Sequence, residues 1–425
     1  MVRRSPMLDS PRHFTGSGMK KLAVLGILLG IFAALAFGAL RWLDVPARLE
    51  AVPADITIRA EIPGIPNARY WVGVEIEPLV RDVVAARERE RAYRVGLGLG
   101  DELPPADLLA ISGGGDKGAF GAGLLNGWTE AGNRPDFKVV TGVSTGALIA
   151  PFAFLGPEYD PVLRQVYTSI SPADVMRPRN PFAAIENDGM ADNQPLWGLI
   201  SRFVDQPLLE RIAAEHMKGR ILLVGTTDLD ARQPVMWNMG NIAASGAPRA
   251  LDLFRQILLA SAAIPGAFPP TMIRVEVDGR SYDEMHVDGG ASTQVFLYPP
   301  RIREVAHGVG ETLARTGRVY VIRNSSLGAT WDPVVRRTIN IASRAIESLI
   351  HTQGLGDLYR IYVTAQRDGF DFNLAYIGPD FVYENKKESF ETAYMVALFD
   401  YGYRLGRDGY EWRKTPPGLA DDVSE

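Results

Sequence analysis

The chain has 425 residues, 46% of them hydrophobic and 22% charged, a globular composition with enough apolar mass for a substantial core. A formal charge of −5 with no long basic patch excludes a nucleic-acid-binding surface of the usual kind. The absence of cysteine removes disulfides, thiolate metal sites, a cysteine nucleophile and lipoprotein-type acylation together.

Leu22 to Ala39 is free of charge, preceded by Lys20-Lys21 and followed by Arg41. As a helix it reaches roughly 27 Å, close to the apolar thickness of a bilayer. Two readings stand. One is a secretory signal whose n-region is Met19-Lys20-Lys21, cut near Ala34-Leu35-Ala36. The other is a retained single-pass anchor with Arg3, Arg4, Arg12, Lys20 and Lys21 on the cytoplasmic side. Either puts the rest of the chain on the non-cytoplasmic side, anchored to the membrane or released as a periplasmic or secreted protein.

Residues 44–106 read as a juxtamembrane lead-in, punctuated by Pro46, Pro53, Pro63 and Pro66. Within it Leu79–Tyr93 has the pattern of an amphipathic helix with a charged face. From Asp107 the pattern changes. Leu108-Leu109-Ala110-Ile111 is a strand buried on both faces, Lys117–Ala131 a helix, Phe137–Thr141 a strand and Thr145–Leu155 a buried helix. That alternation predicts a parallel sheet with right-handed crossovers. Strands are further expected at Arg220–Thr226, Val235–Asn238, Thr271–Val277 and Arg318–Arg323, with a helix at Leu251–Ala263. Residues 107–330 are the expected core. Residues 331–425 are an expected helical portion packed on it, with helices at Ile339–Ile350 and Phe390–Leu405 and its aromatic residues used in packing.

Gly142-Val143-Ser144-Thr145-Gly146 falls where the second strand turns into the helix. A serine on so sharp a turn presents its hydroxyl as a nucleophile, and the flanking glycines leave room for the backbone. Upstream, Gly113-Gly114-Gly115-Asp116-Lys117-Gly118 follows the first strand and opens a helix, offering N–H groups to a developing oxyanion. The same run satisfies a dinucleotide-binding fingerprint, which requires an acidic residue at the end of the second strand. Here that strand end is Thr141-Gly142-Val143-Ser144, and Asp136 sits at its other end, so the nucleotide reading fails. His216, His286, His307 and His351 lie in no motif that would make one of them the base, and His13 precedes the apolar segment.

These motifs, with Ala260-Ser261-Ala262-Ala263-Ile264-Pro265-Gly266-Ala267-Phe268-Pro269-Pro270 and Asp288-Gly289-Gly290 after them, resemble the patatin-like phospholipases in order and approximate spacing. The resemblance covers roughly residues 107–325. It implies a three-layer α/β/α domain with a mainly parallel sheet, and hydrolysis of lipid acyl esters without a cofactor. It further implies a Ser144–Asp288 dyad, with Gly113, Gly114 and Gly115 as the oxyanion loop. Lys117 is placed to attract a lipid phosphate or hold that loop, Asp116 to cap the helix, and His286 to stand behind Asp288. An ordinary aspartate is a weak base for a hydroxyl, so burial must raise its affinity for a proton. The family often has an asparagine and a proline after Asp-Gly-Gly, where this chain runs Ala291-Ser292-Thr293-Gln294-Val295-Phe296. An acyltransferase, or an idle anchored lipid-binding module, are the alternative readings.

Overall fold

The computed structural model describes residues 17–42, 48–180, 187–328, 331, 333–384 and 386–419. Met1–Ala47 and Arg48–Glu425 are separate compact units. In the first, α1 (Ser17–Trp42) forms where the apolar run stands, with Leu25, Ile27, Leu28, Ile31, Phe32 and Leu35 exposed along it. Among the described residues no helix is long and apolar enough to cross a membrane. Arg3, Arg4, Arg12 and His13 lie outside the described residues.

The second unit is built on a nine-stranded sheet. Its strands are β1 (Arg69–Trp71), β2 (Ala106–Ile111), β3 (Val139–Val143), β4 (Ile221–Asp228), β5 (Gln233–Asn238), β6 (Thr271–Val277), β7 (Arg280–Asp288), β8 (Gly317–Arg323) and β9 (Phe370–Tyr376). They run in the order β1-β5-β4-β3-β2-β8-β9, and β7 joins β4 to β6. The five from β9 to β4 are parallel, and β1, β5, β6 and β7 pair antiparallel with their neighbours.

Alternation along the central strands sets the layers. In β2, Leu109 and Ile111 enter one core while Leu108 and Ala110 enter another on the opposite face. The first face is covered by α3 (Gly118–Glu130), α4 (Thr145–Leu155), α5 (Ala250–Ser261) and α8 (Thr392–Arg407). The other is covered by α2 (Glu77–Gly96), α6 (Ile302–Gly308) and α7 (Thr338–Asp368). The result is an α/β fold with a mainly parallel central sheet.

Two segments differ from expectation. Arg69–Trp71, in the stretch taken as a lead-in, is an edge strand paired with β5. Phe370–Tyr376, in the stretch taken as helical, pairs in parallel with β8 across all seven residues. Its physical cause is period-two burial: Phe370, Phe372 and Leu374 point inward around exposed Asp371.

Candidate active site

β3 ends at Val143, α4 begins at Thr145, and Ser144 between them takes φ 56° and ψ −126°. That left-handed value is costly for a residue with a side chain and holds only where the surroundings enforce it. The glycines of the pentapeptide have steric reasons. A Cβ on Gly142 would lie 2.3 Å from the Gly146 oxygen, and one on Gly146 2.2 Å from the Ile111 oxygen. The elbow is pinned further by Ser261, the last residue of α5, whose hydroxyl accepts the Ser144 N–H at 3.0 Å and donates to the Gly225 carbonyl at 2.7 Å.

Asp288 ends β7, directly opposite Thr226 of β4. Its carboxylate accepts the Gly290 N–H at 2.7 Å, and the Ser144 hydroxyl lies near enough to favour its ionised form. Its own N–H donates to the Ala263 carbonyl at 2.9 Å, which ties the aspartate to the segment after α5. Burial pushes the carboxyl up to about 7, against the lowering pull of the Ser144 hydroxyl and the Gly290 N–H. The structure therefore brings the sequence-derived pair Ser144 and Asp288 together.

The glycine loop separates its three candidates. The Gly113 N–H donates to the Gln294 carbonyl at 3.1 Å, so Gly113 cannot serve as an oxyanion donor and leaves that role. Its missing side chain gives space instead: a Cβ there would lie 3.2 Å from the Ser144 Cβ. The N–H groups of Gly114 and Gly115 have no acceptor among the described residues. A Cβ on Gly114 would strike the Asn324 carbonyl oxygen at 2.4 Å, and Gly115 sits at φ +60°. These two positions need glycine for different reasons, contact in one and backbone conformation in the other.

Asn324 and Gln294 organise this loop, and neither role was expected. Asn324, fully buried just past β8, donates from Nδ2 to the Ser112 carbonyl at 2.9 Å and accepts the Gly121 N–H at 3.1 Å. Its main-chain N–H donates to the Ser112 hydroxyl at 2.9 Å. Gln294, in the stretch that departs from the family pattern, donates from Nε2 to the Gly290 carbonyl at 3.0 Å. Its N–H reaches Asp357 of α7 at 2.7 Å. Gln294 thus links the loop of Asp288 to the loop of Gly113.

Asp116 is not a helix cap. Its carboxylate takes Lys386 at 2.6 Å and the Phe390 N–H at 2.8 Å, fastening the segment before α8 to the start of α3. Lys117 is exposed, its ammonium makes no hydrogen bond or ion pair among the described residues, and it stands among Asp116, Lys386, Glu347 and Arg323. No described histidine is hydrogen-bonded to Ser144. His286 is fully buried, with Nδ1 3.0 Å from the Thr226 hydroxyl and Nε2 3.2 Å from Glu284. Asp228, Glu284 and His286 bring ligand-type atoms within 4.8 Å of one another. Arg69 already occupies Glu284 with two hydrogen bonds while lying over Trp71 and Trp237. Burial would raise the Glu284 carboxyl, but Arg69 and His286 outweigh it and hold it at about 2. A guanidinium fills the place of a cation, so the cluster is an ion-pair network stiffening β7 beneath Asp288.

No curated relative matches the chain by sequence. Among solved structures, VipD from Legionella pneumophila aligns at 12% identity and a TM-score of 0.32, over 72% of this chain and 67% of that one. Human GIVD cytosolic phospholipase A2 aligns at 9% identity and a TM-score of 0.35, over 81% of this chain and 64% of that one. The family model that matches is that of the patatin-like phospholipases, over residues 109–299, a span that opens in β2, holds both glycine motifs and closes past Asp288. This chain therefore carries a patatin-like phospholipase domain.

Proposed function

We propose that the protein hydrolyses lipid acyl esters through a Ser144–Asp288 dyad. The observation that carries this reading is the buried Asp288 carboxyl, beside the Ser144 hydroxyl and raised to about 7. A base of that strength is half ionised near neutral pH and takes a proton well there. The Ser144 hydroxyl attacks the ester carbonyl carbon and gives its proton to Asp288. The carbonyl electrons move to oxygen, which the free N–H groups of Gly114 and Gly115 receive. Collapse of that intermediate breaks the carbon–oxygen bond, and Asp288 returns its proton to the departing alcohol. Water then repeats the sequence on the acyl-enzyme, with Asp288 again the base, and the carboxylic acid leaves. Each N–H donor to the oxyanion is worth about 10²–10³ in rate. The exposed Lys117 ammonium, next to this loop in sequence, is suited to a lipid phosphate.

Membrane attachment through α1 belongs to the same proposal. Its support is the charge-free run of Leu22 to Ala39 and the exposed apolar side chains between Val24 and Leu35.

The test is a panel of phospholipids, lysolipids and neutral glycerides with products identified by mass spectrometry, on wild type, Ser144→Ala and Asp288→Asn. Wild type is expected to release fatty acid, both variants to lose at least about 10³-fold in rate, and a fluorophosphonate to label Ser144 alone. Undiminished hydrolysis by either folded variant would sink the dyad. Acyl transfer to added glycerol in place of release to water would make the enzyme a transferase.

A further inference from the structure

A cavity of about 120 Å³ lies between α2, α6 and the sheet face that carries Leu108, Val139, Ile221 and Leu223. Its wall meets the amino-terminal ends of the parallel strands, whereas Ser144 follows the carboxyl end of β3. Five residues of strand separate Val139 from Ser144, about 16 Å, so this space is not the dyad's pocket. It is well above the size needed to admit water, but its walls are chiefly apolar. Leu79, Leu108, Leu223, Leu297 and Phe370 offer water nothing to bond.

The charged residues at this cavity do not balance. Arg87, Lys138, Arg303 and Arg315 line it with a single carboxylate, Glu90. Glu90 is already saturated, holding Arg315 at 2.7 and 3.0 Å and Lys138 at 2.8 Å. Arg303 has Asp368 at 3.7 Å, which Arg367 shares. Arg87 has no carboxylate. Its two terminal nitrogens donate to the Thr312 and Ala314 carbonyls at 2.9 and 2.8 Å, and its buried Nε–H has no acceptor. Burial lowers the Arg87 pKa, and the nearby cations Arg315 and Arg91 lower it further. An incoming anion would relieve both effects. An apolar chamber beside a half-buried guanidinium with no carboxylate partner among the described residues has the shape and charge of a site for an amphiphile with one anionic head.

We propose that this cavity is a second ligand site, which takes a fatty acid with its chain among the leucines and Phe370 and its carboxylate against Arg87. Binding rests on the cavity alone. If the reaction proposed above holds, the same class of molecule is its product, and the site is where product would act back on the enzyme.

The experiment is calorimetric titration of the full-length Ser144→Ala protein with dodecanoate below its micellar range, with dodecanol and butyrate as controls. One saturable site is expected for dodecanoate. Dodecanol, lacking the charge, and butyrate, lacking the chain, should each bind at least about tenfold more weakly. Arg87→Gln should weaken dodecanoate by about tenfold or more, and Arg87→Lys by less. Val83→Phe, which fills the chamber from α2, should abolish binding. Melting curves establish that each variant is folded, and Arg87→Gln decides the matter if Val83→Phe is not. Fluorophosphonate treatment of wild type should leave dodecanoate binding unchanged. No saturable binding of dodecanoate, or equal binding by folded Arg87→Gln and Val83→Phe, overturns the proposal, as does loss of binding on labelling Ser144. Absence of ester hydrolysis by wild type would instead overturn the proposed function and leave this site standing.

Discussion

Asp288 is a carboxylate asked to act as a base, and its surroundings decide whether it can. Among the described residues no cation lowers its pKa; the Gly290 N–H and the Ser144 hydroxyl favour the ionised form, burial opposes them, and burial wins. The direction fixes the pH dependence. Only the ionised form accepts the Ser144 proton, so activity rises as pH climbs through the raised value. With a midpoint at about 7, the ionised share goes from roughly one-tenth at pH 6 to nine-tenths at pH 8. The expected kcat/KM profile on a soluble ester therefore has an acidic limb centred near pH 7. A limb centred near pH 4 would mean that Asp288 keeps the acidity of an exposed aspartate. Ser144 was legible from its local motif at a strand end, whereas Asp288-Gly289-Gly290 is too short to stand alone and was legible only through the ordered set of motifs it completes. The sequence misassigned Gly113, because the partner that takes its N–H, Gln294, is 181 positions away and belongs to no motif. Ser261 stood inside a recognised block, but its role depends on Ser144, 117 residues earlier in the chain.

Between residue and fold, the glycine loop is an element held from outside. It joins β2 to α3, yet its shape is set by Asn324 beyond β8, more than 200 positions on. The Gly121 N–H lies in the first turn of α3, and the Asn324 side chain gives it an acceptor from outside the helix. Asn324→Ala leaves the Ser112 carbonyl buried and without this donor, an expected loss of about 1–3 kcal/mol. Its effect on turnover should fall mainly on kcat, because the loop's N–H groups matter most when charge develops on the substrate oxygen. Chemical denaturation and steady-state kinetics on a soluble ester would check both parts. A variant that raises KM and leaves kcat unchanged would show that Asn324 serves substrate binding and not the loop. Helices and strands with strong local periodicity were legible, Thr145–Leu155 and Thr271–Val277 to the residue. Phe370–Tyr376 was not, because a seven-residue alternation directly after a 31-residue helix is a weak signal beside its neighbour.

At the scale of the whole molecule, the first and last strands of the sheet close opposite edges, β1 against β5 and β9 against β8. Chain on both sides of the family-matched span is therefore structural. The C-terminal α8 packs on α3 with the backbones nearly touching: a Cβ on Gly123 would lie 2.0 Å from the Phe399 oxygen, and one on Gly402 2.4 Å from the Phe120 oxygen. Since α3 carries the glycine loop at its start, removing residues 331–425 strips support from the oxyanion loop and uncovers the edge of β8. The N-terminal boundary is different. Met1–Ala47 is a unit of its own, and the chain after it is fastened at once, Arg48 to Asp230 at 2.6 Å and Leu49 N–H to Asp283 at 2.8 Å. A chain of residues 48–425 should therefore melt within about 2 °C of the full-length protein and cleave soluble esters at the same rate. On lipid vesicles it should be slower, if α1 supplies the membrane attachment. A chain of residues 48–330 should show no cooperative melt by circular dichroism. Cooperative unfolding of that shorter chain at the full-length Tm would mean that the catalytic layer stands without β9 and α8, against the packing described.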